Sequence, residues 1–204
     1  NLTEELFMTV IYLVRHGQSQ ANSKGIWQGA QIDTPLTELG RTQAQNTKKH
    51  LEEEGAVFSA VYSSPLLRAG ETAGIIAPNQ NITFDSRLKE FDYGMWDGMY
   101  WQDILERYSE FFDASENLLP NSWEVTGGET YDEVKKRLQQ FFDELTDKHP
   151  DESVLVVSHG FTIKLILDLF LNIGNLVNLN EPTNAGITKF ILKNGARTLV
   201  YFNR

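Results

Sequence analysis

Two histidines in this sequence each follow a short apolar segment and precede a glycine. Arg15-His16-Gly17 follows residues 9–14 (TVIYLV), and Ser158-His159-Gly160 follows residues 153–157 (SVLVV). Apolar, β-branched runs of this length are typical of buried parallel strands. Ligands of open α/β sheets bind in the crevice at the carboxyl ends of such strands. Because those ends share one edge of the sheet, we predict that the two histidines meet in one ligand site.

Permanent positive charges accompany the histidines. Arg15 directly precedes His16, and Arg68 lies in the first turn of a predicted helix whose N-cap is Ser64. A helix N-terminus already attracts anions, so an arginine there is electrostatically unfavourable unless an anion binds. The alternative is an exposed Arg68 that forms a salt bridge with Glu71.

These side chains together predict a site for a phosphoryl group. Two guanidinium groups and two imidazoles that converge on one point require a dianion to balance them. A phosphoryl group carries about −1.5 to −2 charges and three acceptor oxygens, which match these donors. Gly17 lets the backbone come close to such a ligand.

A metal site is the first alternative, since histidine is a common metal ligand. Guanidinium groups beside a divalent cation would cost Coulomb energy. The sequence also contains neither a His-x-x-x-His nor a His-Glu-x-x-His motif. We therefore expect no metal and no other cofactor.

Composition narrows the class of protein. The 204 residues are 41% hydrophobic and 23% charged, as in soluble globular proteins, and we interpret them as one domain, 1–204. The net charge of −10 argues against a nucleic-acid or anionic-membrane surface. Cysteine is absent, which excludes disulfides, cysteine zinc sites and thiol catalysis. No apolar run reaches the roughly 18 residues of a membrane span.

The start of the chain resembles no targeting signal. Residues 1–7 (NLTEELF) lack the basic start and apolar stretch of a signal peptide. Met8 is a candidate natural start, which would make these residues a vector remnant or a short tail. The missing cysteines fit a reducing compartment, and we expect a cytoplasmic protein.

The remaining sequence alternates strands and helices around the predicted site. Residues 18–33 are interpreted as a polar loop in which Ser19 and Asn22 can hydrogen-bond an anion. His50 and His149 are interpreted as a surface residue and a turn residue. Further predicted elements are a helix over 37–54 capped by Thr37, strands over 57–62 and 81–84, a helix to about 148 that follows Thr130, a helix over 161–171, and a hairpin of 187–192 with 198–202.

One segment interrupts this alternation. Residues 95–126 are rich in aromatic side chains and helical at first. We interpret this segment as an inserted lid over the site. Most of its aromatic side chains are expected to pack the insert onto the rest of the protein. The others are expected to determine which substrate binds.

The chain resembles the histidine phosphatase superfamily, in the branch (branch 1) that includes cofactor-dependent phosphoglycerate mutases and their phosphatase relatives. The resemblance covers nearly the whole chain, and its motifs occur in the family's order. They are residues 13–19 (LVRHGQS) with Asn22, 35–40 (PLTELG), 62–73 (YSSPLLRAGETA), 88–90 (LKE), 94–98 (GMWDG), 128–130 (GET) and 156–160 (VVSHG).

The resemblance implies a three-layer α/β sandwich, with helices on both faces of a mostly parallel sheet. It also implies that His16 is the nucleophile that takes up the phosphoryl group. Arg15, Arg68 and His159 would hold that group. The residues agree with these roles, because nearby guanidiniums disfavour the imidazolium form of His16 and keep its ring able to attack.

Further roles follow from the same resemblance. Glu90 matches the acid that protonates the leaving group, and Asn22 loosely matches a polar residue near the phosphate. The Gly17 carbonyl is expected to orient the ring of the nucleophile. A bound dianion and a closed lid favour protonated Glu90. Its alternative interpretation is a surface carboxylate, with Asp92 and Asp97 as fallback acids.

We therefore predict a metal-independent phosphatase that hydrolyses small phosphomonoesters through a phosphohistidine. A phosphoglycerate mutase is the alternative, since it shares the first step but returns the phosphoryl group to a substrate hydroxyl. The chain is short, and Arg107 is the only basic residue between Glu90 and Tyr131. Both features favour the phosphatase, because the family's mutases tend to have a longer lid and need several cations near it to bind a carboxylate and a bisphosphate.

A non-catalytic module that binds a phosphorylated partner is the third hypothesis. Such a module would be expected to have lost the nucleophile or the acid, and this chain retains His16 and Glu90. The expected partner is a small phosphorylated substrate, with neither nucleic acid nor membrane.

Overall fold

A six-stranded sheet forms the centre of the protein, which the computed structural model describes over residues 7–204. The interpretation of residues 1–6 as a remnant or tail lies outside the described residues. The strands, in sheet order, are β3 (Ile82–Phe84), β2 (Ala60–Ser63), β4 (Ser153–Ser158), β1 (Met8–Arg15), β5 (Ile187–Lys193) and β6 (Ala196–Tyr201). The first four are parallel, and β5 and β6 are antiparallel to their neighbours.

Helices cover both faces of the sheet. They are α1 (Gln20–Ser23), α2 (Glu38–Glu53), α3 (Leu67–Ile76), α4 (Trp101–Arg107), α5 (Trp123–Thr126), α6 (Tyr131–Lys148) and α7 (Gly160–Leu171). Single 3₁₀ turns occur at Ser86–Leu88, Gly94–Trp96, Ser109–Phe111 and Leu176–Asn178. No helix in the described part of the chain is long and apolar enough to cross a bilayer.

The pleat of the central strands divides the core into two layers. Tyr12 and Val14 of β1 face a cluster that includes residues of α2 and α3. Ile11 and Leu13, which alternate with them, face a larger cluster built from α6, α7 and the segment 95–126. Because side chains of a strand alternate between faces, a strand that is apolar at every position is buried on both. The predicted three-layer α/β fold is confirmed.

Most of the predicted helix ends are also observed. Thr37 caps α2 by accepting from the backbone N–H of Gly40 at 3.0 Å. Thr130 and Glu133 form a capping box at the start of α6. Val134, Leu138 and the rest of the predicted apolar stripe of α6 are buried. Such caps and stripes depend on residues within a few positions of each other, which is why the sequence predicts them well.

Two local predictions were wrong. The predicted loop 18–33 contains the helix α1, whose capping box consists of Ser19 and Asn22. The helix α3 begins at Leu67 with no side-chain cap, so Ser64 does not cap it. Arg68 nevertheless remains in the first turn.

The segment 95–126 packs mainly through its aromatic rings. Trp96 and Phe112 are buried in the larger core cluster and stack with ring centroids 5.7 Å apart. Met95, Tyr100 and Trp123 are exposed. The buried rings fix the segment on the body, while the exposed ones leave an apolar outer surface.

Candidate active site

The register of the two central strands brings His16 and His159 together. Arg15 at the end of β1 pairs with Ser158 at the end of β4, so the residue that follows each strand is one of the two histidines. Their ring centroids lie 5.1 Å apart. The backbone N–H of His16 also donates to the Ser158 carbonyl at 3.1 Å. The sheet therefore places the two imidazoles side by side at its carboxyl edge.

A hydrogen bond fixes the tautomer of His16. Its Nδ1 lies 2.6 Å from the carbonyl oxygen of Gly17, which can only accept, so Nδ1 carries the proton in the neutral ring. The lone pair is then on Nε2. Burial lowers the pKa of His16 well below its usual value, and the charges of Arg68 and Arg15 lower it further. At neutral pH the ring is neutral and Nε2 is able to attack.

His159 is held by a serine that follows the neighbouring strand β2. Its Nε2 lies 2.7 Å from the Ser64 hydroxyl, which also accepts from the backbone N–H of Leu66 at 3.3 Å. In the tautomer in which this hydroxyl donates to Nε2, the proton of His159 lies on Nδ1. Burial, followed by the charge of Arg68, lowers the pKa of His159 well below its usual value. The sequence suggested a cap for Ser64, but its hydroxyl positions this histidine instead.

Arg15 points back toward the loop that precedes β5. Its Nη1 donates to the carbonyl of Pro182 at 2.6 Å and lies 3.7 Å from a carboxylate oxygen of Glu181. Gly160 leaves room for the guanidinium, since a Cβ there would lie 3.1 Å from its Cζ. These contacts hold Arg15 beside the histidines.

Arg68 is almost completely buried, with 1% of its surface exposed. Its two Nη atoms donate to the carbonyls of Ile32 at 2.7 Å and Gly29 at 3.0 Å. Burial lowers its pKa to about 10, which still leaves it charged at neutral pH. The alternative of an exposed Arg68 paired with Glu71 is wrong, because Glu71 pairs with Arg41 at 3.6 Å.

Three buried nitrogens around His16 have no hydrogen-bond partner within residues 7–204. They are Arg15 Nε, Arg68 Nε and His159 Nδ1. A buried donor without an acceptor costs about 1–3 kcal/mol. A phosphoryl group offers three acceptor oxygens and negative charge, so it satisfies such donors and balances the two guanidiniums.

Glu90 is also buried, with 5% of its surface exposed, so its interpretation as a surface carboxylate is wrong. Its carboxylate accepts from the backbone N–H groups of Phe161 at 3.2 Å and Thr162 at 3.0 Å. Those groups belong to the first turn of α7, whose own N-cap residue makes no side-chain cap. Glu90 thus caps α7, the helix that follows His159. Burial raises its pKa, and the charge of Glu181 raises it further.

The fallback acids occupy other positions. Asp92 accepts from Gly94 at 2.8 Å and from Gln31 at 2.9 Å. Asp97 accepts from the backbone of Gly29, and burial raises its pKa to about 7. Neither residue lines the cleft that contains His16. Glu90 does, which favours it as the acid.

A cleft of about 330 Å³ opens in front of His16. Its lining residues are Arg15, His16, Asn22, Gly25, Ile26, Trp27, Gln28, Glu90, Tyr93, Trp101, Glu181 and Asn184. Arg68 and His159 are fully buried and do not line it.

Asn22 lines the cleft although its Oδ1 accepts from the Ser19 backbone at 3.1 Å. The Ser19 hydroxyl lies 2.5 Å from the side-chain amide of Gln28.

Two residues of the cleft escaped the sequence analysis. Asn184 donates to the carbonyl of His16 at 3.3 Å, and Glu181 pairs with Arg15. Both lie in the loop between the 3₁₀ turn Leu176–Asn178 and β5. The only signal was the polar run before a predicted strand, which is common to loops in general.

The other two histidines lie elsewhere. His50 is exposed on α2. His149 ends α6 and bonds the Tyr62 hydroxyl and Glu152 at 2.7 and 2.8 Å. Within the described residues, no group of three or more His, Asp or Glu side chains is arranged to hold a metal ion.

Gly17→Ala is expected to lower the free energy of unfolding by about 1–3 kcal/mol, as overpacking does. A Cβ at Gly17 would fall on the carbonyl oxygen of Gly40 and 2.9 Å from its carbon, and backbone cannot move aside cheaply. Because Gly17 also orients His16, phosphatase activity is expected to fall with stability. Urea unfolding and phosphate release measure the two effects.

Gly74→Ala is the matched control for that substitution. A Cβ at Gly74, within α3, meets nothing within 4 Å, and alanine favours a helix over glycine. This variant is expected to be neutral or slightly more stable. Equal stability of Gly17→Ala and Gly74→Ala would contradict the tight approach at Gly17.

Comparisons with known proteins agree with this geometry. The family model described as "Histidine phosphatase superfamily (branch 1)" matches residues 11–204. A protein named "Putative phosphoserine phosphatase 2" from Hydrogenobacter thermophilus is 34% identical, over 97% of this chain and 96% of its own. The "Metal-independent phosphoserine phosphatase" of Arabidopsis thaliana is 34% identical, over 88% of this chain and 75% of its own.

A solved structure has the same fold. "Bacillus stearothermophilus YhfR" superposes with a TM-score of 0.84 at 30% identity and covers 94% of this chain and 95% of its own. The motif resemblance found in the sequence is thereby confirmed over nearly the full length. This chain belongs to branch 1 of the histidine phosphatase superfamily.

Proposed function

We propose that this phosphomonoesterase of the histidine phosphatase family acts through a phosphohistidine on His16. The observation that carries the proposal is the state of the His16 ring. Its Nδ1 proton is held by the Gly17 carbonyl, and its Nε2 is left unprotonated beside the two guanidinium groups. That nitrogen attacks phosphorus while the bond from phosphorus to the ester oxygen breaks.

The buried donors stabilise the charge of the transferring group. Arg15, Arg68 and His159 each present an unpartnered nitrogen near His16. Preorganised donors of this kind stabilise the equatorial oxygens during in-line transfer, where positioning and electrostatics supply most of the catalysis. His159, neutral because its pKa is lowered, adds a hydrogen-bond donor without a further full charge.

Glu90 supplies the proton that the leaving alkoxide needs. Its pKa is raised, which increases the protonated fraction before the reaction. After the alcohol leaves, the carboxylate takes a proton from the water that attacks phosphohistidine. The nitrogen–phosphorus bond then breaks, and inorganic phosphate is released with His16 restored.

The substrates are small phosphorylated molecules, and the names of the relatives point to one of them. Both curated relatives described above are named for phosphoserine. We propose O-phosphoserine as a candidate substrate on this basis. We further propose that the segment 95–126, which contributes Trp101 to the cleft, covers the substrate as a lid.

A screen of phosphorylated metabolites tests the hydrolase against the mutase. With 3-phosphoglycerate as one substrate, the expected product is free phosphate, without isomerised 2-phosphoglycerate. Arg15 is the only cationic side chain among the described residues of the cleft, and Arg107 of the segment 95–126 is exposed outside it. The second phosphate of a bisphosphate, which a mutase needs for priming, therefore finds few partners in the cleft. Formation of 2-phosphoglycerate at a rate above that of phosphate release would overturn the proposal.

A further inference from the structure

We propose that Glu181 recognises a positively charged group on the substrate, so that the enzyme prefers phosphomonoesters that carry an ammonium close to the ester. This inference rests on the proposed function, because it places the phosphoryl group at His16. It adds a specificity-determining residue to the part of the cleft that holds the rest of the substrate.

The first observation is the free hydrogen-bonding capacity of Glu181. Its side chain is 39% exposed, lines the cleft and lies 3.7 Å from Arg15 Nη1, beyond hydrogen-bond distance. Within residues 7–204 its carboxylate accepts no hydrogen bond from any side chain or backbone N–H. Both of its oxygens are therefore available to a donor on the substrate.

The second observation is the balance of charge in the cleft. Its charged lining residues in the described chain are Arg15, Glu90 and Glu181. A phosphoryl group at His16 offsets the charge of Arg15, and Glu90 is neutral when it acts as an acid. The carboxylate of Glu181 then remains as a negative charge next to the substrate, where it attracts a cation.

The third observation is the aromatic wall of the same cleft. Trp27 and Trp101 are half-buried, line the cleft and lie with ring centroids 4.5 Å apart. Tyr93 meets Trp27 edge to face at 4.8 Å. Indole faces attract ammonium groups through their quadrupole. The one ion pair of Glu181 within residues 7–204 is the 3.7 Å contact with Arg15, and a carboxylate that shares a cleft with aromatic side chains is suited to bind an amine.

Lys164 on α7 is a cation outside the cleft, and an ion pair with it would occupy the carboxylate of Glu181. It is buried beside the Phe161 ring, and the charge of Glu181 opposes the lowering of its pKa by burial. Yet no ion pair between Lys164 and Glu181 occurs among the described residues, and Lys164 does not line the cleft. Glu181 is therefore left for the substrate.

Two substrates that differ by one group isolate the effect. 2-Aminoethyl phosphate carries an ammonium where 2-hydroxyethyl phosphate carries a hydroxyl, and the two are otherwise alike in size. The kcat/KM of the wild-type enzyme is expected to favour the amine about tenfold, the effect of one charge-assisted hydrogen bond. In Glu181→Gln this preference is expected to fall to about one, because activity on the amine falls about tenfold more than activity on the hydroxyl ester.

Glu124→Gln is the matched control, because Glu124 is exposed on α5 and does not line the cleft. It removes the same charge and is expected to keep the preference. A wild-type enzyme without preference for the amine, or an unchanged preference in Glu181→Gln, would overturn the inference. Equal losses on both esters would also overturn it, because they would assign Glu181 to positioning Arg15. In all three cases, hydrolysis that depends on His16 leaves the proposed function intact.

Discussion

His16→Ala is expected to lower kcat/KM for p-nitrophenyl phosphate by at least about 10⁴-fold, the scale of losing a catalytic nucleophile. The physical reason is that no other imidazole can replace it. His159 is the only neighbouring ring, and its Nε2 is bonded to Ser64 at 2.7 Å. Among the histidines, only His16 combines a free, unprotonated ring nitrogen with surrounding hydrogen-bond donors for a phosphoryl group.

The variant is also expected to form no phosphoenzyme. Wild-type enzyme quenched during turnover of ³²P-labelled substrate should carry a label that is stable to base and labile to acid, as phosphorylated imidazole is. His50→Ala, which removes an exposed histidine of α2, is the matched control and should keep both activity and label.

A folding defect must be separated from a chemical one, because His16 is buried and its removal leaves a cavity. His16→Gln keeps most of the side-chain volume, and circular dichroism and thermal unfolding report on its fold. Near wild-type activity in a folded His16 variant would rule out a mechanism through a phosphohistidine on His16.

Glu90→Gln is expected to slow the hydrolysis of alkyl phosphates far more than the hydrolysis of aryl phosphates. An alkoxide leaves poorly without a proton, so loss of the acid should cost about 10²–10³-fold for 2-hydroxyethyl phosphate. The p-nitrophenolate ion leaves without help, and the loss for its ester should stay below about tenfold. The ratio of the two kcat/KM values is the measurement.

The pH profile gives a second measure of the same residue. The acid acts in its protonated form, whose fraction falls as pH rises through the pKa of Glu90. Burial and the charge of Glu181 raise that pKa, so activity on alkyl esters should persist above the usual carboxyl range and then decline. Glu90→Gln should lose this decline. On the acid side, activity appears as His16 loses its proton, at the low pKa that burial and the two arginines impose.

Glu90 also has a structural role that the test must control. Its Oε1 accepts from Phe91 at 2.8 Å and from Thr162, and glutamine would turn an NH₂ group toward some of these donors. The variant is therefore expected to lose some stability, and this loss lowers activity on both esters by the same factor and leaves their ratio unchanged. Asp92→Asn changes a fallback acid outside the cleft and should leave the ratio unchanged. Equal losses of kcat/KM on both esters in Glu90→Gln would show that Glu90 is not the acid that protonates the leaving group.

The two residues are coupled through the helix α7. His159 precedes this helix, and Glu90 caps its first turn through Phe161 and Thr162. The cap holds the acid at the carboxyl edge of the sheet where His16 and His159 end their strands. The helix that follows His159, proposed to bind the phosphoryl group, thus also fixes the position of Glu90, the proposed acid.

The sequence by itself determined the features that depend on near neighbours along the chain. The apolar runs before His16 and His159 predicted the two central strands, and a parallel sheet then required their ends to meet. The cap at Thr37 was likewise predicted, since a cap and its partner are three residues apart. The motif order was specific enough to indicate the family before any coordinates.

Only the tertiary structure decided what buried polar groups bind. Ser64 carries the sequence signature of a cap, yet its hydroxyl bonds His159, which is 95 positions away. Glu90 could be read as an exposed carboxylate until α7 was seen to bury and bind it. Glu181 lies in a polar run that is common to loops, and nothing near it in sequence indicates its approach to Arg15. A hydrogen bond between distant segments depends on how the layers pack, and the local sequence around each residue does not specify that packing.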